Sequence, residues 1–306
     1  MKKHVEAISK AFDQLKELVG DAVGERGCVV RPIVTRTGVI SLDLVLGGGL
    51  PPGITEIFGP ESVGKTTLLG SILRTAQAQE KYTAVLPSEH HEVEFLKELG
   101  VDPEKLLLIQ AQSAHEALGA VADLISTANV VVAIDSLTSL QGSLKEDEWA
   151  QLRWDFLSRA GEEISRNSSL IIVSQVRTRR SADPRKRYTN ETESANRRVT
   201  DLFTVRLDVR RTAVTENDYE MMVDVVTNLY GLPANIVQIP AEKKWGIRYD
   251  LDFLRTAVLR GIVQQVGAWY YLTSGDVKFG PGADKAASQL MSNSMAKNEV
   301  LRIVYP

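Results

Sequence analysis

The sequence predicts an α/β protein with a mostly parallel central sheet, a helix–strand arm ahead of it and a small α+β module behind it. Three observations predict this. Between Gly38 and Arg211 short apolar runs alternate with helical stretches. The runs are continuous rather than alternating, as strands buried on both faces must be. One of them leads straight into a glycine-rich pattern that opens a helix, the strand–turn–helix order of a phosphate loop.

The elements follow in order. Val5, Ile8, Phe12, Leu15 and Val19 share one face of a helix over 4–19, stopped by Gly20. Cys28–Thr35 reads as a strand, but Pro32 inside it removes a ladder donor and makes it an edge. This arm could pack on a neighbour or cover its own domain. Strands are predicted at Ile54–Phe58, Thr83–Leu86, Leu106–Gln110, Val130–Asp135, Leu170–Gln175 and Phe203–Val209, with helices near 65–79, 92–99, 114–126 and 148–166. Residues 176–198 are polar without apolar periodicity, and a loop of that length has a function or is disordered. Two strands, Met221–Thr227 and Ile236–Ile239, flank the turn signal at 230–233. The last stretch predicts a helix at 252–264, strands at Trp269–Leu272 and Val277–Phe279, and a helix near 284–297.

Composition bounds the function. The 306 residues suit about two domains. The hydrophobic share of 43% and charged share of 25% are those of a globular chain. The net charge of −3 offers no sign of a nucleic-acid or membrane partner. Cys28 is the only cysteine, which excludes an internal disulfide and a Cys-rich metal site and fits a reducing compartment. The longest apolar runs, 106–109 and 130–134, are too short to span a bilayer, and the first residues carry no apolar signal core. The expectation is a soluble, cytoplasmic protein with no membrane partner.

Gly59-Pro60-Glu61-Ser62-Val63-Gly64-Lys65-Thr66-Thr67 fits GxxxxGK[ST]. Its backbone N–H groups can wrap phosphates, and the helix it opens adds a positive end. Lys65 would reach the β- and γ-phosphates and Thr66 would bind Mg2+. Asp135 closes the apolar run 130–134, at the mouth of a parallel sheet where ligands bind. It is the candidate metal-side carboxylate, held through water, although an aspartate there can also cap the next helix. Glu89, after the strand Thr83–Leu86, is placed to orient an attacking water. His90 and His91 beside it do not fit HExxH and read as solvated residues.

These residues resemble the RecA recombinase family of ATP-dependent, filament-forming strand-exchange proteins. The likeness takes in Thr37-Gly38, Ser41-Leu42-Asp43, Gly47-Gly48-Gly49-Leu50-Pro51, the phosphate loop with its Gly-Pro-Glu-Ser, and Ser88-Glu89-His90. It continues through Ile134-Asp135-Ser136, Ser174-Gln175-Val176-Arg177, Val205–Arg211 and Gly267-Ala268-Trp269-Tyr270. It implies a RecA-like P-loop ATPase core over 37–247, an oligomerisation arm over 1–36 that docks on the next protomer, and a C-terminal module over 248–306. It implies that Glu89 activates water, that Asp135 stands on the metal side and that Gln175 senses the γ-phosphate. It further implies that Thr67 contacts the α-phosphate and that Phe95 stacks on adenine, a task an aromatic face suits.

The family's second DNA loop begins after the sensor glutamine. Here that segment, Val176–Arg198, carries Arg177, Arg179, Arg180, Arg185, Lys186, Arg187, Arg197 and Arg198 against three acids, a net of +5. Arginines neutralise backbone phosphates and stack on bases, whereas a charge run by itself is usually a solvated face. Removing this segment leaves −8 on the rest of the chain, so the small total conceals a local basic patch.

Three departures stand out. The stretch from Asp135 to Gln175 is short for the family, so the first DNA loop near Gln141–Glu148 is cut down. Ala195-Asn196 replaces paired glycines, which removes φ freedom. Thr227-Asn228-Leu229 lacks the two lysines that bacterial members extend to a neighbour's nucleotide, and Lys243 and Lys244 are candidate substitutes for that charge. The expected function is ATP-dependent filament assembly on single-stranded DNA, pairing with homologous duplex and strand exchange. The rivals are a regulatory paralogue that binds ATP and DNA without exchange and a ring-forming motor.

Overall fold

The computed structural model describes residues 33–305 apart from 89, 127–128, 181–187, 193–196, 213–214, 232–234, 245 and 275–276, with the backbone alone at 90, 176–180, 188–192 and 197–198. Most of the expected arm therefore lies outside the described residues. From Ile33 onward the chain forms one compact unit.

The strands are β1 (Gly53–Gly59), β2 (Tyr82–Pro87), β3 (Leu106–Leu108), β4 (Val130–Asp135), β5 (Ser169–Arg180), β6 (Tyr188–Thr192), β7 (Val205–Thr212), β8 (Asp218–Asn228), β9 (Ile236–Glu242) and β10 (Gly246–Ile247). They join in one sheet of order β10-β9-β8-β7-β1-β5-β4-β2-β3, with β6 paired to β5. The six strands from β7 to β3 run parallel, and β8 to β10 extend the sheet antiparallel. Helices α1 (Ile40–Leu46), α2 (Lys65–Ala78), α3 (His90–Glu98), α4 (Ala114–Ser126), α5 (Glu146–Glu163) and α6 (Arg197–Thr200) alternate with them.

The continuous apolar runs explain the layering. Side chains alternate across a strand, so a run of consecutive apolar residues feeds two cores at once. Val131, Ala133, Ile171 and Val173 join one buried cluster with α2, whereas Val130, Val132, Ile134, Leu170 and Ile172 join another with α4 and α5.

Where the sequence predicts one helix over 252–264, the structure has α7 (Tyr249–Leu259), a turn and β11 (Val263–Val266). Gly261, at φ 70, makes the reversal; a left-handed residue there costs only glycine nothing. The helix expected near 284–297 is two, α8 (Ala283–Ser292) and α9 (Ser294–Val304). Asn293 breaks them apart, its side-chain oxygen accepting from Ala296 N at 3.0 Å, as an N-cap does. β11 pairs with β12 (Trp269–Leu272), and β12 with β13 (Lys278–Phe279), in a small antiparallel sheet.

Two buried aspartates tie α1 to the last helices. Asp43 accepts from Thr37 N and Oγ1, each at 2.8 Å, and from the Tyr305 hydroxyl at 2.6 Å. Asp252 accepts from Ser41 N at 3.2 Å and from the Ser41 hydroxyl. Burial pushes both carboxyls up to about 6, against these hydrogen bonds, which pull them down. The folded state thus holds more protons than the unfolded chain between about pH 4 and 6, and stability falls as pH rises through that window. Each shift is worth on the order of 3 kcal/mol. The urea midpoint is expected to drop from pH 4.5 to 7, and the Asp43→Asn variant to show a shallower drop. Equal slopes would refute this assignment.

Candidate nucleotide site

The site is assembled at the carboxyl ends of four adjacent parallel strands. In register, Gly59 lies beside Gln175 across β1 and β5, Asp135 beside Val173 across β4 and β5, and Pro87 beside Asp135 across β2 and β4. Ligands of open parallel sheets bind outside these ends. β1 has β5 and β7 as its neighbours and never a strand next to it in sequence, so the chain after β1 emerges between two separate walls.

That chain is the phosphate loop. Gly64 has φ 103, and a Cβ there would stand 2.3 Å from Met221 Sδ. A Cβ on Gly59 would stand 2.1 Å from the Val209 carbonyl oxygen. Both positions therefore demand glycine, and α2 starts at Lys65, directly after Gly64. Lys65 Nζ donates to Pro60 O at 2.6 Å and Gly59 O at 3.1 Å. Burial lowers its pKa, while Asp135 and Glu61 act to raise it. Thr66 Oγ1 donates to Asp135 Oδ2 at 2.9 Å. Burial, then the charge of Glu92, push Asp135 up to about 6, opposed by the Thr66 hydroxyl and Lys65.

A hydroxyl and a buried carboxylate in contact form an all-oxygen donor pair that fits Mg2+. A divalent cation beside Asp135 would restore its charged form. Ser88 supports this side: its N–H donates to Glu92 Oε2 at 2.9 Å, and its hydroxyl, with one proton to give, lies 2.8 Å from both Glu92 Oε1 and the Asp135 carbonyl oxygen.

A cavity of about 350 Å3 opens over the loop, lined by Ser62 and Gly64 to Thr67, and by Phe95, Arg211, Tyr219 and Lys243. Phe95 is 38% exposed and Lys243 Nζ donates to Glu216 O at 2.7 Å. Lys243 thus borders the loop of its own chain, and exposed Lys244 follows it. Glu89 lies outside the described residues. Gln175 is exposed at the end of the buried part of β5.

The expected polar loop is organised further than its sequence predicts. β5 runs on through Val176 to Arg180 and pairs antiparallel with β6, Arg177 opposite Glu191 and Arg179 opposite Thr189. Arg177, Arg179 and Arg180 stand on this ribbon, and Arg197 and Arg198 open α6. Arg185, Lys186 and Arg187 lie outside the described residues. The first loop is compact: a 3-10 turn at Leu137–Gln141, Gly142 at φ 50, then α5 from Glu146.

The family profile for the RecA N-terminal domain matches residues 2–241. The chain belongs to the RecA family. Among curated proteins named Protein RecA, that of Bdellovibrio bacteriovorus is 32% identical over 83% of this chain and 71% of its own length. That of Thermus aquaticus is 31% identical over 87% and 83%, and that of Cereibacter sphaeroides 28% identical over 96% and 91%. No helix among the described residues of this RecA-family chain is long and apolar enough to cross a membrane.

Sequence reasoning passed over two lining residues, Arg211 and Tyr219. Each lies just beyond a strand that the sequence predicts, Arg211 after Phe203–Val209 and Tyr219 before Met221–Thr227, on the part by which the observed strand is longer. Their approach to the phosphate loop depends on β7 lying beside β1, Phe58 opposite Asp208, which no local pattern announces.

Proposed function

We propose that the chain is a DNA-dependent ATPase that forms a helical homo-oligomeric filament on single-stranded DNA, pairs it with homologous duplex and exchanges strands. One observation carries this reading: β5 is a single strand that bears Gln175 beside Gly59 and then continues into the arginine ribbon. A change at the nucleotide end of such a strand is passed to its basic end without an intervening flexible joint. In this reading Lys65 and the loop N–H groups hold the phosphates, Thr66 and Asp135 hold Mg2+, Phe95 stacks on the base and Glu89 orients water. Bound Mg2+ supplies charge neutralisation on the phosphates. Arg177, Arg179, Arg180, Arg185, Lys186, Arg187, Arg197 and Arg198 meet the DNA backbone. We divide the chain into an arm over 1–36, an ATPase core over 37–247 and a C-terminal module over 248–306, acting in the cytoplasm.

The test is ATP hydrolysis with and without single-stranded DNA. Stimulation by DNA is expected; hydrolysis indifferent to DNA would sink the coupling. A second reading, a regulatory paralogue without strand exchange, is favoured by the compact turn before Glu146 and by the lysine-free Thr227-Asn228-Leu229. Filaments that form with ATP and DNA yet never exchange strands would select it, and closed rings in their place would select a motor.

A further inference from the structure

We propose that Arg211 is a nucleotide-binding residue that contacts a phosphate group of its own chain's nucleotide, with Tyr219 as the residue that positions it. The proposal rests on the nucleotide reading above and adds a cation that the phosphate-loop pattern does not contain.

The placement follows from the sheet. β1 ends at Gly59, while β7, parallel to it, continues to Thr212. The surplus residues carry Arg211 past the end of β1 and over the loop that β1 feeds. There its guanidinium stacks 4.0 Å above the centre of the Tyr219 ring. Nη1 donates to the carbonyl oxygen of Ser62, within the phosphate loop, at 3.3 Å. Nε is buried and has no hydrogen-bond partner among the described residues.

Tyr219 is itself fixed. It is 7% exposed, and burial raises its pKa while a hydrogen bond with the Thr67 side chain and the charge of Arg211 lower it. The ring thus joins the first turn of α2 to the arginine. A stacked guanidinium loses little further freedom when it meets a ligand, and its planar fork matches phosphate oxygens. A half-buried cation with an unsatisfied donor beside a phosphate loop is in credit for an anion rather than an apolar group. Base recognition is the poorer match, because Arg211 bonds the loop backbone at Ser62, whereas the exposed aromatic face in the cavity belongs to Phe95.

The test is equilibrium binding of ADP, ATP and adenosine to the full-length chain, wild type against Arg211→Ala, Arg211→Gln and Arg211→Lys. Arg211→Ala and Arg211→Gln are expected to weaken ADP and ATP by about 10-fold to 100-fold, the range of a charged hydrogen bond, and to leave adenosine unchanged. Arg211→Lys should recover part of the loss. Unfolding without nucleotide identifies any variant that fails to fold, and Arg211→Lys and Arg211→Gln, which conserve bulk, then carry the comparison. ADP affinity unchanged in a folded Arg211→Gln overturns the proposal, as does an equal loss for adenosine. Wild-type protein that binds neither ADP nor ATP would instead overturn the nucleotide reading itself.

Discussion

Replacing Lys65 by alanine is expected to lower ATP hydrolysis by about 10³-fold, since loss of one preorganised charge from a phosphoryl-transfer site has that order of effect. The ammonium is already held inside the loop by Pro60 O and Gly59 O, so the charge stands where transferred charge would develop. Its loss should leave the fold intact. Burial works against this charge, as its lowered pKa records, so the urea midpoint without nucleotide is expected to stay level or rise. Activity and stability therefore move in different directions. Steady-state hydrolysis alongside urea unfolding reads both, and a variant retaining more than a tenth of wild-type turnover would remove Lys65 from its assigned role.

The largest expected loss of stability lies beneath the loop. Glu56, in the middle of β1, is fully buried, and Arg206 on β7 donates Nε to its Oε2 at 2.7 Å. Arg206 also lies 4.8 Å above the Phe58 ring. Truncating it to alanine withdraws that cation from a buried carboxylate and is expected to cost about 3–5 kcal/mol. Replacing both partners, Glu56→Gln with Arg206→Met, should recover most of the loss, because the burial penalty then disappears with the charge. Denaturant unfolding of the single and double variants measures the coupling. If the double variant is as unstable as Arg206→Ala, the pair is held by packing rather than by charge.

The phosphate loop and the strand ends around it were legible in the sequence because their signals are local. A contiguous motif places Lys65 and Thr66, and runs such as 130–134 need two apolar walls whatever the fold. Where the order of neighbours matters, local patterns fall silent. Arg211 and Tyr219 reach the loop only because β7 lies against β1. The sequence that forms the ribbon of β5 and β6 has no apolar period that separates it from a loop. In the last module the apolar spacing of Leu254, Ala257, Val258, Ile262 and Val263 continues a helical rhythm across Gly261, where the backbone turns instead.

The position of β1 also bears on how the molecule comes into being. Its two walls are made with residues far along the chain: the Glu56–Arg206 contact alone closes 150 residues. Local pairings form early and distant ones late, so this centre belongs among the last parts to assemble. On the ribosome the loop would be synthesised long before β7 exists to roof it. Nucleotide capture would then report completion of the chain through Arg211, and ATP could act as a ligand that stabilises finished molecules over partial ones.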